Sequence, residues 1–248
     1  MNAATLTPEQ SRVLAKGPFP DYPFTPKSFV HPNGLAQSYL DEGQGPPVLM
    51  LHGNPSWSYY WRHLVLGLRD DYRCIVPDHI GMGLSDKPDD SRYDYTLQSR
   101  VDDVAALLRY LGITGPVTLA VHDWGGMIGF GWALSHAAQV KRLVITNTAA
   151  FPMPAAKKMP WQIALGRDWT IGEWIIRGFN AFSAGASWIG VERRMPADVR
   201  RAYVSPYDTW ANRIATIRFM QDIPLGPQDK AWPLLEAAGK ALPSFADR

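Results

Sequence analysis

Only one cysteine stands in the chain, Cys74, so no internal disulfide can brace the fold. It sits in the run RCIVPD, a strand pattern, and reads as a small core hydrophobe. An excess of one charge is lacking too: 25 Lys and Arg stand against 23 Asp and Glu. A net charge of +2 gives no reason to expect nucleic acid or an anionic membrane as partner. No apolar run is long enough to span a bilayer, and the opening MNAATLTPEQSRVLAKG has no stretch for a signal peptide. Membrane insertion is therefore not expected, and the cytoplasm is the default location. The six histidines lack helical i, i+4 spacing and there is no second cysteine, so no metal and no other cofactor is expected. Repeats and low-complexity tracts are missing as well. What is present is a 248-residue chain, 46% hydrophobic and 19% charged, sufficient for one core or a core with one insertion.

Short apolar runs alternate with amphipathic helical patterns, which predicts an α/β fold with a mostly parallel sheet covered by helices. KSFVH and LAQSYLDEG read as opening strands around the turn Pro32-Asn33-Gly34. PPVLMLHG, YRCIVPD, PVTLAVHD and VKRLVITNT read as buried strands. LQSRVDDVAALLRYLGI is a helix whose apolar face is Val101, Val104, Leu107, Leu108 and Leu111, with Gly112 as its stop. From 151 to 226 the chain turns rich in Trp, Pro and Arg, with helical stretches and no strands between them. The expected division is 1–150 for the first part of the core, 151–226 for a helical cap, and 227–248 for a helix returning to the core.

LAVHDWGGMIGF, from Leu119 to Phe130, has the form of a nucleophile elbow with aspartate in place of serine. A residue at such a strand-to-helix turn stands above the sheet, at the positive end of the next helix. Serine needs a base to become nucleophilic. The carboxylate of Asp123 does not, and can attack an electrophilic carbon to form an ester with the protein. LHGNPSW follows the third strand, where an α/β-hydrolase supplies one oxyanion-hole N–H; the residue after the nucleophile supplies the other. Asn54 and Trp124 fall at those positions. The Asn54 amide and the Trp124 indole N–H are also neutral donors suited to a leaving anion. Asp78, in PDHIGMGLSD, reads as a brace for adjacent loops. Phe151, Trp161, Trp169 and Phe182 are candidates for the wall of an apolar substrate pocket under the cap.

HGNPSWSYYWRHL, PDHIGMGLSDKP, YTLQSRVDDV and HDWGGMIGFGWA resemble the haloalkane dehalogenase group of α/β-hydrolases. Within it they are most similar to the branch that includes the β-lactone decarboxylases of bacterial long-chain olefin biosynthesis. YPFTPKSF, QSYLDEG, NTAAFP and RFMQDIPL extend the likeness through the cap. The resemblance implies an α/β-hydrolase fold, Asp123 as nucleophile, and Asn54 with Trp124 holding the leaving group. It further implies a small apolar substrate, a long-chain cis-β-lactone, and other enzymes of the olefin pathway as partners. Asn147 stands where some dehalogenases keep an acidic residue.

The base should follow the nucleophile in this fold. The last histidine is His136, more than three helical turns beyond Asp123. The chain is therefore expected to lack the catalytic histidine and acid, together with the final strands and helix. Three other activities remain open at this point: haloalkane dehalogenation with the same residues, epoxide hydrolysis with Tyr203 and Tyr207 as an acidic pair, and an inactive binding protein.

Overall fold

A computed structural model describes residues 5–154 and 159–248. Helix α1 (Pro8–Leu14), capped by Thr7, precedes a hairpin of β1 (Lys27–Val30) and β2 (Ala36–Glu42). Gly34 closes the hairpin turn at φ 80°, where a Cβ would strain the backbone. Then come β3 (Pro47–Leu51), α2 (Arg62–Leu68), β4 (Arg73–Pro77), α3 (Leu97–Tyr110), β5 (Val117–Asp123), α4 (Trp124–Ser135) and β6 (Val140–Thr148). The sheet order is β1-β2-β4-β3-β5-β6. β4, β3, β5 and β6 run parallel, and β2 joins them antiparallel. Parallel neighbours need crossovers, which α2, α3 and α4 supply.

Leu49, Leu51, Ile75, Leu119 and Val121 face one core with residues of α3 and α4. Val48, Met50, Cys74, Val76 and Ala120 face the other, with Val13 of α1 and Val65 of α2. Successive side chains alternate faces. A strand covered on both faces therefore reads as an unbroken apolar run such as PVLML. Cys74 packs in the second core, and burial pushes its thiol up to about 11. Helix α3 starts where the Thr96 hydroxyl accepts the Ser99 N–H, buries Val101, Val104, Leu107 and Leu108, and is followed by Gly112 at φ 67°. Helix α4 stops at Ser135, so His136 caps it instead of lying inside it, stacked on Trp132 at 4.6 Å.

Beyond β6, the described residues up to 226 form helices only: α5 (Trp161–Asp168), α6 (Thr170–Phe179), α7 (Ala181–Ile189), α8 (Ala197–Val204) and α9 (Ile214–Gln221). α10 (Trp232–Ala241) returns and packs on α4. α8 places Ala202 in one core of the sheet, and α9 places Ile214 and Phe219 in the other. The segment's own cluster is small: Ile176, Ile217 and Met220, with Phe182 against them. The last two cap helices thus anchor it, while α5 and α6 rest on α9. β6 is an edge of the described sheet, with Val144 and Ile145 exposed. No described helix is long and apolar enough to cross a membrane.

Candidate active site

The turn from β5 into α4 holds Asp123 at φ 52° and ψ −125°, outside the conformations a β-carbon favours. Close backbone packing keeps it there. A Cβ on Gly125 would collide with the Leu51 carbonyl, and one on Gly126 with the Thr148 side chain. The Thr148 hydroxyl donates to the Asp123 carbonyl. The loop after β3 closes over the carboxylate: the Asn54 backbone N–H donates to Asp123 Oδ1 at 2.8 Å. Gly53 makes that approach possible, since a Cβ there would overlap the Asp123 side chain. Oδ1 is thereby held, while Oδ2 accepts no hydrogen bond among the described residues.

The Asn54 backbone N–H, expected in an oxyanion hole, is thus engaged with the nucleophile itself. The Asn54 amide is partly engaged as well. Its Nδ2 donates to the Thr216 carbonyl on α9 at 2.9 Å, and its Oδ1 is buried without a partner. An amide nitrogen carries two hydrogens, so one donor remains for a ligand. Trp124 packs edge-on against Phe219, ring centres 5.1 Å apart. Beneath both lies Arg100, fully buried, its guanidinium carbon 3.8 Å from the Phe219 ring centre and 5.2 Å from that of Trp124. Arg100 pairs with Asp222 at 2.7 Å and donates to the Tyr95 carbonyl. The sequence held a signal for this residue: an arginine within the apolar face of α3, between Leu97 and Val101. Such a position favours a paired, buried cation over a solvated one.

Asp78 braces the loops around the site. It accepts the Ser58 N–H at 2.6 Å on one oxygen and the Leu84 N–H at 2.8 Å on the other. Burial pushes its carboxyl up to about 6, against the pull of those two donors. His52 is fully buried, and burial lowers its pKa to about 4. With Nδ1 on the Gly53 carbonyl and Nε2 on the His79 N–H, its ring fastens loop to loop. His122 stacks on Tyr60 at 4.4 Å; burial lowers its pKa against the charge of Asp123. Tyr207 is buried and donates to the Ser56 carbonyl at 2.9 Å, so its hydroxyl does not face the site. That removes one member of the Tyr203–Tyr207 pair that epoxide hydrolysis would call on.

Two cavities meet at Asp123. One, of about 360 Å³, lies between the Asn54 loop, His122, α7 and Tyr203. The other, of about 400 Å³, lies between Trp124, Met127, Phe151, Ile163 and Leu235. The four cap residues expected on a pocket wall divide. Phe151 lines the second cavity. Phe182 packs in the small cluster of the cap instead. Trp161 and Trp169 line neither cavity and are 72% and 63% exposed: α5 turns Ile163 inward and leaves Trp161 outside, and Trp169 stands at the junction of α5 and α6.

An elbow of this geometry, on this sheet and with an acidic nucleophile position, defines an α/β-hydrolase. The family model described as alpha/beta hydrolase fold matches residues 46–175, and the chain belongs to that family. It is 74% identical over 237 residues to a cis-3-alkyl-4-alkyloxetan-2-one decarboxylase of Xanthomonas campestris pv. campestris, covering 93% of this chain and 79% of that protein. A protein of the same name from Shewanella oneidensis is 53% identical over 221 residues, with 89% and 70% covered. A crystal structure of a haloalkane dehalogenase from Bradyrhizobium elkani superposes with a TM-score of 0.79 at 28% identity, covering 89% of this chain and 77% of the other.

Proposed function

We propose that the protein is a β-lactone decarboxylase that turns a cis-3,4-dialkyl oxetan-2-one into an alkene and carbon dioxide. The observation that carries this reading is the elbow carboxylate, held by the Asn54 N–H beside the Trp124 side chain. The relatives at 74% and 53% identity support it by name. Asp123 Oδ2 attacks C4 of the ring. The C4–O1 bond breaks with its electron pair on oxygen, leaving a carboxylate on C3 and an ester on Asp123. The C3–C2 pair then forms the C3=C4 double bond and C2 departs as carbon dioxide. The C4–ester bond breaks in the same step and restores the Asp123 carboxylate. No water is consumed. The free amide hydrogen of Asn54 and the Trp124 indole N–H stabilise the oxygen that gains charge. Attack at C2 is the alternative; it breaks the C2–O1 bond to give a mixed anhydride and a C4 alkoxide. Water then adds to C2, the C2–C3 pair forms the double bond as the C4 oxygen leaves as hydroxide, and C2 is released from Asp123 as bicarbonate. An ¹⁸O label in the ring oxygen separates them, since only C4 attack carries it into carbon dioxide.

The test sets a cis-β-lactone against a bromoalkane of equal chain length. Alkene and carbon dioxide in equal amounts are expected, well ahead of any bromide release. Preferential bromide release would move the assignment to a haloalkane dehalogenase, and turnover of neither would leave a binding protein. The proposal extends to a cytoplasmic location and to other enzymes of olefin biosynthesis as partners.

A further inference from the structure

We infer that the two cavities flanking Asp123 are separate subsites, each holding one of the two alkyl arms of a cis-disubstituted β-lactone. The inference rests on the decarboxylase reading and deepens it. Among the described residues, the cavities share Asp123 and Asn147 on their walls and no others. Each, at about 360 and 400 Å³, falls within the roughly 300–1,000 Å³ that small-molecule sites occupy. A four-membered ring with alkyl groups on adjacent carbons diverges from one point in two directions. Among the described residues, the point common to both cavities is the nucleophile and its neighbour on β6. A ring seated there brings its reacting carbon to Asp123 while each arm enters its own cavity. A single-chain haloalkane would leave one of the two empty.

The walls differ, so the arms are not equivalent. The first cavity is of mixed character: Ser56, Tyr60, His122, Ser183, Ser187 and Tyr203 give it polar groups beside apolar Ala186, Val191 and Met195. Met127, Phe151, Met153, Ile163, Ile223 and Leu235 make the second the more apolar of the two, with Thr148 as a polar group beside the shared Asp123 and Asn147. Asn54 opens on the first cavity and Trp124 on the second, so the two donors straddle the ring. Asn147, at φ 37°, stands in the dividing wall. The partition therefore fixes which ring carbon meets Asp123.

The experiment uses two regioisomeric cis-β-lactones, one with a long C3 arm and a short C4 arm, the other reversed. Ala186→Phe narrows the first cavity and Ile163→Trp the second, since each residue lines one cavity and not the other. Val191→Trp and Met159→Trp, on connecting segments, serve as second variants should a helix substitution lower the folded yield. Each methylene kept out of an apolar site costs about fourfold in affinity. Ala186→Phe should lower kcat/KM at least tenfold for one isomer and under threefold for the other, and Ile163→Trp should do the reverse. This crossover supports the partition whichever arm belongs to which cavity. Equal losses on both isomers from either variant, or no loss from either pair, would overturn it. Failure of the wild-type protein to form alkene from both isomers would overturn the reaction itself and the partition with it, an outcome distinct from a missing crossover.

Discussion

The elbow and the outer cap are built by opposite rules. At the elbow, backbone comes so close to its neighbours that no Cβ fits: Gly125 on the Leu51 carbonyl, Gly126 on the Thr148 side chain, Gly53 on the Asp123 carboxylate. One residue type fits each of those positions. In α5 to α7, side chains set the packing and much of it faces outward: Trp174 is 69% and Phe179 82% exposed. Many residue types would serve there. On the proposed reading, the reaction belongs to the closely packed elbow and the choice of substrate to the walls the cap supplies. Substitutions should therefore separate sharply by region.

The largest effect belongs to Asp123→Asn. An amide is a poor nucleophile, so alkene formation should vanish while circular dichroism and thermal unfolding stay near wild type. Activity surviving in freshly purified, non-deamidated protein would remove Asp123 from the chemistry. Gly53→Ala should come next. Its Cβ would occupy the place of the Asp123 carboxylate, and displacement by about 1 Å can cost on the order of 100-fold in rate. Gly185 in α7 is the control, since a Cβ there meets nothing. Gly185→Ala should leave the rate unchanged and add up to about 1 kcal/mol of helix stability. Equal damage at both glycines would erase the contrast.

Trp124→Phe and Asn54→Ala test the donors without disturbing the elbow. Loss of one donor aimed at developing charge costs about 3 kcal/mol, roughly 100-fold in kcat. Trp124→Phe keeps the packing on Phe219 and removes only the N–H, so it is the cleaner of the two. Asn54→Ala also breaks the tie to Thr216, and its KM should rise as well. A raised KM with unchanged kcat for Trp124→Phe would mean that the indole binds ground state only.

The same contrast governs what could be read before the fold was known. The strands, the α3 face and the elbow follow from local pattern, because glycines, the Asp-Trp pair and unbroken apolar runs each permit few conformations. Asp78 was legible as a brace for the same reason. The side-chain direction of Asn54 was not, since its partner Thr216 lies on a cap helix far along the chain. Nor was the inward face of the cap. α6 carries Ile171, Trp174, Ile175, Ile176 and Phe179 on one broad apolar face opposite Glu173 and Arg177, yet only Ile176 of the five is buried, so the pattern marks the face without saying which of its residues turn in. Trp161 and Trp169 stand out in the sequence by size and aromaticity, but Ile163 is the residue of α5 that reaches the cavity wall.

Asp78→Asn should act on stability more than on rate. Folding raises the Asp78 pKa to about 6, from about 4 in the unfolded chain. A raised folded value means that the folded state binds the proton more tightly. The contribution is therefore present below about pH 4 and lost as pH rises through about 6, a change of about 3 kcal/mol. Wild-type unfolding measured from pH 4 to 7 should contain this decline, and the variant should not. At pH 7 the Asn amide turns a donor toward the Ser58 or Leu84 N–H, so the variant should be less stable by about 1–3 kcal/mol. Identical pH profiles for the two proteins would show that Asp78 does not titrate in this range.

The smallest effect is expected where the sequence offers its largest aromatics. Trp161 and Trp169 are mostly exposed and line neither cavity. Replacing either with Gln removes apolar surface that water already reaches, so stability should change by no more than about 0.5 kcal/mol. kcat/KM on a β-lactone should stay within about twofold, since a surface contact of this kind contributes little to binding energy. Phe151→Ala is the paired comparison. Phe151 lines the second cavity and packs against Gly239 of α10, so its loss enlarges the cavity and frees a wall of the substrate site. Its KM for a lactone with a long arm should rise severalfold, with a smaller rise for a short-armed one, because each methylene deprived of an apolar wall loses up to about 0.8 kcal/mol. If Trp161→Gln proved the more damaging of the two, the outer face of the cap would be part of the substrate path, and the boundary between rigid and tolerant regions would have to be redrawn around α5.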